Sequence, residues 1–329
     1  MNLNKICDMS EPIFKIENIS KSFSKNMVLK NIDLEIMPGE IIGIIGASGS
    51  GKTTFLNLII GFIRPDKGDV KFRLSHLLSY KQNAIYRSVY DKQALVKTVY
   101  GFASQVPSYY DELTIKENLD YFGTLHNLST DAIKVNTETL LSLMNLQYAT
   151  NIQAKNLSGG MKRRLDIACS LMHDPEVLIL DEPTADLDTI HRNQIWSLIK
   201  KINAKGTTII LSSHHLNELE NICTRVAILD DKEIVALDSP TNLKNKITVK
   251  EQIYFKVGNK KQEKIIKQLK SGNKDKIKLV NGEIEVETTD VDKSLMKILE
   301  TIKKHNEKLK SIRVVGASLD DVFINLIEK

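Results

Sequence analysis

The residues Gly46-Ala-Ser-Gly-Ser-Gly-Lys52-Thr53 fit the pattern G-x-x-x-x-G-K-[ST] in full. Small residues let successive backbone N–H groups converge on phosphate oxygens, and the positive end of a following helix adds to the attraction. The spacing assigns Gly46, Ala47, Ser48, Gly49, Ser50, Gly51, Lys52, Thr53 and Thr54 to a cradle for nucleotide phosphates. Lys52 is placed to reach the β and γ phosphates, and the Thr53 hydroxyl to bind Mg²⁺.

Two further stretches carry chemistry. In Val177-Leu-Ile-Leu-Asp181-Glu182 an apolar run ends in paired carboxylates. Asp181 is expected to hold Mg²⁺ through water, and Glu182, one residue on and pointing elsewhere, to polarise an attacking water. In Leu157-Ser158-Gly159-Gly160-Met161 the Ser158 hydroxyl and the N–H groups of Gly159 and Gly160 open a second helix whose start favours an anion. A single chain cannot readily aim both anion sites at one nucleotide.

With these elements the sequence resembles the ATPases of ABC transporters, whose signature takes the form LSGGM here. The resemblance covers residues 13–240 and implies ATP and Mg²⁺ as ligands. It also implies two ATPase domains paired head to tail, each signature closing on the other's phosphate loop. Further positions match one by one. Phe23, in Lys21-Ser-Phe23, falls where an aromatic ring stacks on adenine. Gln105, in Gly101-Phe-Ala-Ser-Gln105, matches a glutamine that touches Mg²⁺ and senses a membrane partner. Ala185-Asp-Leu-Asp188 matches a dimer-contacting loop, and His214 a switch histidine on the γ-phosphate, with His215 outside that role. The implied catalytic set is Lys52, Gln105, Glu182 and His214, and the implied metal set is Thr53, Gln105 and Asp181.

The resemblance also implies partners: a second ATPase subunit, identical or related, and a separately encoded permease on whose cytoplasmic membrane face the chain would sit. Leu157–Leu165, LSGGMKRRL, and Ala317–Phe323, ASLDDVF, resemble the ATPase subunits of drug, antibiotic and polysaccharide-type exporters. An ABC ATPase acting on ribosomes or DNA is the alternative. A second phosphate loop or long heptads would support it, and the sequence has neither, so a nucleic-acid partner is not expected. Three features depart from the family. Asp186 and Lys232 stand where glycine is usual, and the stretch from Gly68 to Gln105 is long.

These residues need strands and helices to position them. Glu40–Ile45, Val177–Leu180 and Thr207–Ser212 read as buried strands, and Lys52–Phe62 as the helix that follows the loop. Residues 13–22 alternate like an edge strand. Strands are also expected near Asp69–Leu74 and Thr98–Phe102, with an irregular insertion between them. Helices are expected over Thr114–Leu125, Thr130–Met144, Ser158–Met172 and Asp188–Lys205. The fold class is α/β, a P-loop NTPase core of ABC type. It spans residues 13–240 after an N-terminal extension at 1–12, with a helical subdomain at about residues 111–172. Residues 241–329 read as a small α+β accessory domain with the β-α-β-β-α-β order of a ferredoxin-like unit. A capping box from Ser318 to Asp321 is expected on its last helix.

Composition agrees with a globular chain: of 329 residues, 42% are hydrophobic and 26% charged. No apolar run approaches the roughly 18 residues of a membrane span, and the first residues lack a secretory signal's apolar core. Three cysteines with no metal-binding spacing fit a reduced compartment. Residues 244–329 carry 20 Lys+Arg against 13 Asp+Glu. The acidic residues are interleaved, so this region reads as a solvated Lys-rich surface.

Overall fold

A computed structural model describes residues 11–73, 85–91, 96–214, 216–246, 251–258, 262–270, 276–280, 282–316 and 319–327. The chain divides into two compact units, Met1–Pro240 and Thr241–Lys329.

The first unit opens with β1 (Phe14–Phe23), β2 (Asn26–Ile36) and β3 (Ile41–Ile45). All five residues of β3 are buried, as an unbroken Ile-rich run requires when both faces are covered. Helix α1 (Lys52–Ile59) follows the loop. Next come β4 (Lys67–Arg73), β5 (Tyr86–Ser88) and β6 (Tyr100–Ala103). The helical arm is built from α2 (Ile115–Leu125), α3 (Thr130–Met144) and α4 (Gly159–Ser170). The chain then returns through β7 (Val177–Leu180), α5 (Thr189–Asn203), β8 (Thr208–Ser213), α6 (Leu216–Leu219), β9 (Arg225–Asp230) and β10 (Glu233–Asp238).

One sheet is antiparallel, ordered β2-β1-β4-β5, and the other runs β10-β9-β3-β8-β7-β6. Phe14, Ile16, Phe55, Leu56, Ile44 and Ile179 belong to one buried cluster that includes residues of both sheets and α1. Burying each such side chain stabilises the fold by roughly 1.5–3 kcal/mol.

Residues 13–22 do not form an edge strand, because β1 pairs with β2 on one side and β4 on the other. The alternation is broken by register shifts on either side of Ile19, and Asn18 and Asn31 have φ of 51° and 48°. These bulges disrupt the period-two pattern through which a buried strand is read. The insertion carries one short strand, β5; the rest of it lies largely outside the described residues.

The register of the parallel strands brings the chemistry-bearing loops to one edge. Ile45 pairs with Ser213, Leu180 with Leu211 and Ala103 with Leu180. The residues that follow these strands therefore emerge together at the carboxyl end of the sheet, where α/β folds bind ligands. They include Gly46, Asp181, Glu182, Gln105 and His214.

The second unit begins within α7 (Pro240–Lys246), at Thr241, and continues β11 (Glu251–Lys256), α8 (Gln262–Lys270), β12 (Lys276–Val280), β13 (Glu283–Thr288), α9 (Val291–Lys304), β14 (Ser311–Val315) and α10 (Leu319–Ile327). Its sheet is ordered β12-β13-β11-β14 with every neighbouring pair antiparallel. Ile253, Phe255, Ile265, Leu269, Ile284 and Ile298 form its core. Ser318, and with it the expected capping box, lies outside the described residues, as does His215. Among the described residues no helix is long and apolar enough to cross a membrane.

Candidate active site

The loop after β3 is shaped by its smallest residues. A Cβ on Gly46 would lie 2.5 Å from the Leu229 carbonyl oxygen, so this position admits no side chain. Gly51 has φ of 105°, which an L side chain rarely adopts, and this turn launches α1. Lys52 therefore starts a helix that points its positive end into the cleft. Its side chain is 6% exposed, and its ammonium donates to the carbonyls of Gly46 at 3.0 Å and Ala47 at 3.1 Å. Ser48, Gly49, Gly51, Lys52, Thr53, Thr54, Gln105, Glu182 and His214 line one cleft of about 530 Å³.

The carboxylates divide as their neighbours dictate. Asp181 is 1% exposed and accepts from the Ser212 hydroxyl at 2.5 Å. That hydroxyl in turn accepts from the Glu182 N–H at 2.9 Å. A single serine on β8 thus fixes the loop after β7. Glu182 sits at φ 46°, a left-handed conformation that non-glycine residues hold only where their surroundings determine it. One of its oxygens lies 3.7 Å from the Lys52 ammonium, and the other is 3.0 Å from His214 Nδ1. Since a carboxylate only accepts, Nδ1 carries the proton in that contact.

Thr53, Gln105 and Asp181 offer a hydroxyl, an amide oxygen and a carboxylate, the hard oxygen donors that suit Mg²⁺. Among the described residues no cluster of three or more His, Cys, Asp or Glu could hold a metal. A single carboxylate beside phosphate and hydroxyl oxygens fits Mg²⁺, which keeps much of its water.

Lys52, Thr53, Gln105, Glu182 and His214 thus meet, with Asp181 buried behind them. Phe23 is 48% exposed with the Lys21 ammonium 5.5 Å from its ring centroid, and Val28 lines the cleft where Phe23 does not. Ser158 caps α4, accepting from the Met161 N–H at 3.4 Å, and both Ser158 and Gly159 are exposed. None of Ser158, Gly159 and Gly160 lines the phosphate cleft. Ser158 instead borders a separate cleft of about 430 Å³ with Tyr148, Arg164 and His191.

Several functional candidates escape sequence reasoning. Ser212 is one. Glu218 is another: its carboxylate accepts from Thr184 at 3.2 Å, Arg192 at 2.7 Å and Trp196 Nε1 at 2.8 Å. It joins α6, just past His214, to the segment after Glu182. The third is the pair Arg163 and Asp166 on α4. A charged pair three apart on a helix of mostly apolar and small residues is the only signal the sequence offers for it.

The cleft is that of a nucleotide-phosphate site at the carboxyl edge of an α/β sheet, and relatives sharpen the class. The ABC transporter family model matches residues 29–185. A linearmycin resistance ATP-binding protein of Bacillus subtilis (strain 168) is 29% identical, over 95% of this chain and 98% of that protein. A Nod factor export ATP-binding protein I of Paraburkholderia xenovorans (strain LB400) is 32% identical over 71% of this chain and 73% of its own length. Among solved structures, a dimeric ATP-binding cassette in a post-hydrolysis state, bound to ADP and Pi, is 27% identical with a TM-score of 0.58, covering 69% of this chain and 98% of that one. A subunit of an ABC transporter complex from Clostridium perfringens shares the fold at 22% identity and a TM-score of 0.63, over 80% of this chain and 96% of its own.

The chain belongs to the ATP-binding subunits of ABC transporters. It is an ATPase, and its activity serves a transporter.

Proposed function

We propose that this chain powers export through a permease, pairing with a second copy of itself so that two ATP molecules are held between them. The reading rests on one observation. Lys52, Thr53, Gln105, Glu182 and His214 line one cleft, while Ser158–Gly160, an anion-ready helix start, lie outside it with Ser158 and Gly159 exposed. A phosphate seated on Lys52 gains its second set of donors from the Ser158 end of another chain.

In this reading the N–H groups of residues 46–54 and the Lys52 ammonium hold the β and γ phosphates, and Phe23 stacks on the adenine. Thr53, Gln105 and, through water, Asp181 would hold Mg²⁺, which when bound would supply positive charge to the phosphoryl oxygens. Glu182 accepts a proton from the attacking water as the oxygen bonds to the γ-phosphorus and the bond to ADP breaks. His214 bridges Glu182 and the γ-phosphate, and Gln105, on the loop beside the cleft, responds to the permease. Because catalysis here is positioning plus charge stabilisation, the contacts that fix Glu182 matter as much as the carboxylate itself.

The export direction is supported by the names of the relatives, one a resistance protein and one an export protein. In this reading the chain sits on the cytoplasmic face of a membrane. Residues 241–329 act as an accessory domain that supports assembly.

The reading is tested by Glu182→Gln. ATP binding is expected to stay, phosphate release to fall on the order of 10²–10⁴-fold, and dimers to accumulate in ATP. Phosphate release at the wild-type rate would refute the role of Glu182.

A further inference from the structure

One buried ion pair touches both catalytic loops and belongs to neither. Arg163 and Asp166 stand one turn apart on α4, 10% and 0% exposed, with NH1 and Oδ2 at 3.0 Å. The Arg163 guanidinium donates to three carbonyls besides: Ser104 at 2.8 Å, Asp181 at 3.0 Å and Pro183 at 3.0 Å. Ser104 immediately precedes Gln105, and Asp181 and Pro183 flank Glu182. The other Asp166 oxygen accepts from both the N–H and the hydroxyl of Ser108, each at 3.0 Å. The pair therefore grips the Gln105 loop on both sides and the Glu182 loop on both sides, from the helix whose first turn is Ser158–Gly160.

We propose that Arg163, oriented by Asp166, is a positioning residue that locks the Gln105 and Glu182 loops to α4, so that the catalytic carboxylate is in place only when α4 is. This deepens the function proposed above and rests on it. Neither residue faces the phosphate cleft, so neither touches ATP. Arginine suits this position and lysine does not, because only a planar fork reaches three carbonyls and a carboxylate at once. Burial pushes the Asp166 carboxyl above its ordinary range, while the Arg163 guanidinium and the Ser108 donors pull against that shift.

The experiment measures phosphate release and binding of a fluorescent ATP analogue in the full-length chain. It compares wild type, Arg163→Lys, Asp166→Asn and Asp166→Glu. Arg163→Lys and Asp166→Asn are expected to lower kcat on the order of tenfold or more, with KM and analogue affinity within about twofold. Asp166→Glu should recover part of the loss. Because Arg163 acts through Glu182, adding Arg163→Lys to Glu182→Gln should leave the residual rate unchanged. An unchanged kcat, a raised KM alone, or a further multiplicative fall in the Glu182→Gln background would overturn the proposal. If the buried variants do not fold, Ser108→Ala removes one donor from an exposed residue and decides the matter in the same way: a kcat loss at constant KM supports it, and an unchanged kcat refutes it. A wild-type chain without turnover would instead count against the reading of the site.

Discussion

The phosphate cleft and the start of α4 are both built to attract anions, and they differ in what surrounds them. Around Lys52 four loops converge, the ammonium is buried, and Glu182 is fixed from Ser212, Lys52 and His214. Around Ser158 the helix opens with Ser158 and Gly159 exposed, Gly160 buried close to His191, and the Ser158 hydroxyl capping its own helix. A finished anion site in a single chain shows converging donors and excludes water. A half-site shows the same backbone donors with nothing opposite. The difference is what the proposed pairing requires, in which the second region meets the phosphate cleft of another chain.

That contrast is sharpened first by Lys52→Ala. It removes a cation from the phosphates, and charge-assisted bonds contribute about 1.5–3 kcal/mol each. Nucleotide affinity of the isolated chain should fall on the order of 10²-fold, as read by titration with a fluorescent analogue. Ser158→Ala should leave that affinity unchanged, yet weaken ATP-dependent dimerisation roughly tenfold when measured by sedimentation on the Glu182→Gln background. Loss of single-chain binding in Ser158→Ala would break the distinction between the two regions.

A smaller effect concerns how the helical arm that carries α4 is joined to the core. His126, at the end of α2, stacks on His173 with ring centroids 3.7 Å apart, and His173 Nε2 meets the Tyr100 carbonyl on β6 at 3.2 Å. Burial and the neighbouring His126 depress the His173 pKa to about 4, with Asp174 pulling the other way. The unfolded chain takes up its proton near pH 6.5, before the folded chain does, so this contribution to stability is complete above that pH and is lost as pH falls toward 4. Thermal midpoints should decline across that window, and His173→Gln should flatten the decline. An equal slope in the variant would remove His173 as its cause.

The smallest effect is at Lys232, whose φ is 74°. Lys232→Gly relieves a left-handed lysine but frees the unfolded chain, so a net gain of at most about 1 kcal/mol is expected in the denaturant midpoint. A loss of stability would show that the lysine side chain contributes more than its backbone conformation costs.

Contiguous motifs were legible in the sequence because their chemistry is local. Gly46–Thr53 declares itself within a few residues, Asp181–Glu182 and Leu157–Met161 gain their meaning beside it, and His214 is singled out through the family resemblance. The departures at Asp186 and Lys232 were also visible, and the structure supplies their reason. Both residues occupy left-handed backbone, at φ 60° and 74°, where glycine is free of strain. What escaped was set by distance along the chain or by irregularity. β2 and the central place of β1 were hidden by bulges at Asn18 and Asn31. Arg163, Ser212 and Glu218 find their partners 18 to 59 residues away, a relation that only the folded sheet creates.

The central claim is that each ATP site is shared between Lys52 of one chain and Ser158 of another, and mixing two defective chains tests it most directly. On the Glu182→Gln background, Lys52→Ala and Ser158→Ala chains are each expected to retain little nucleotide as stable dimers. An equimolar mixture should form dimers with one intact shared site and retain about one ATP per mixed pair. Retention in the mixture no greater than the average of the two parts would contradict the account.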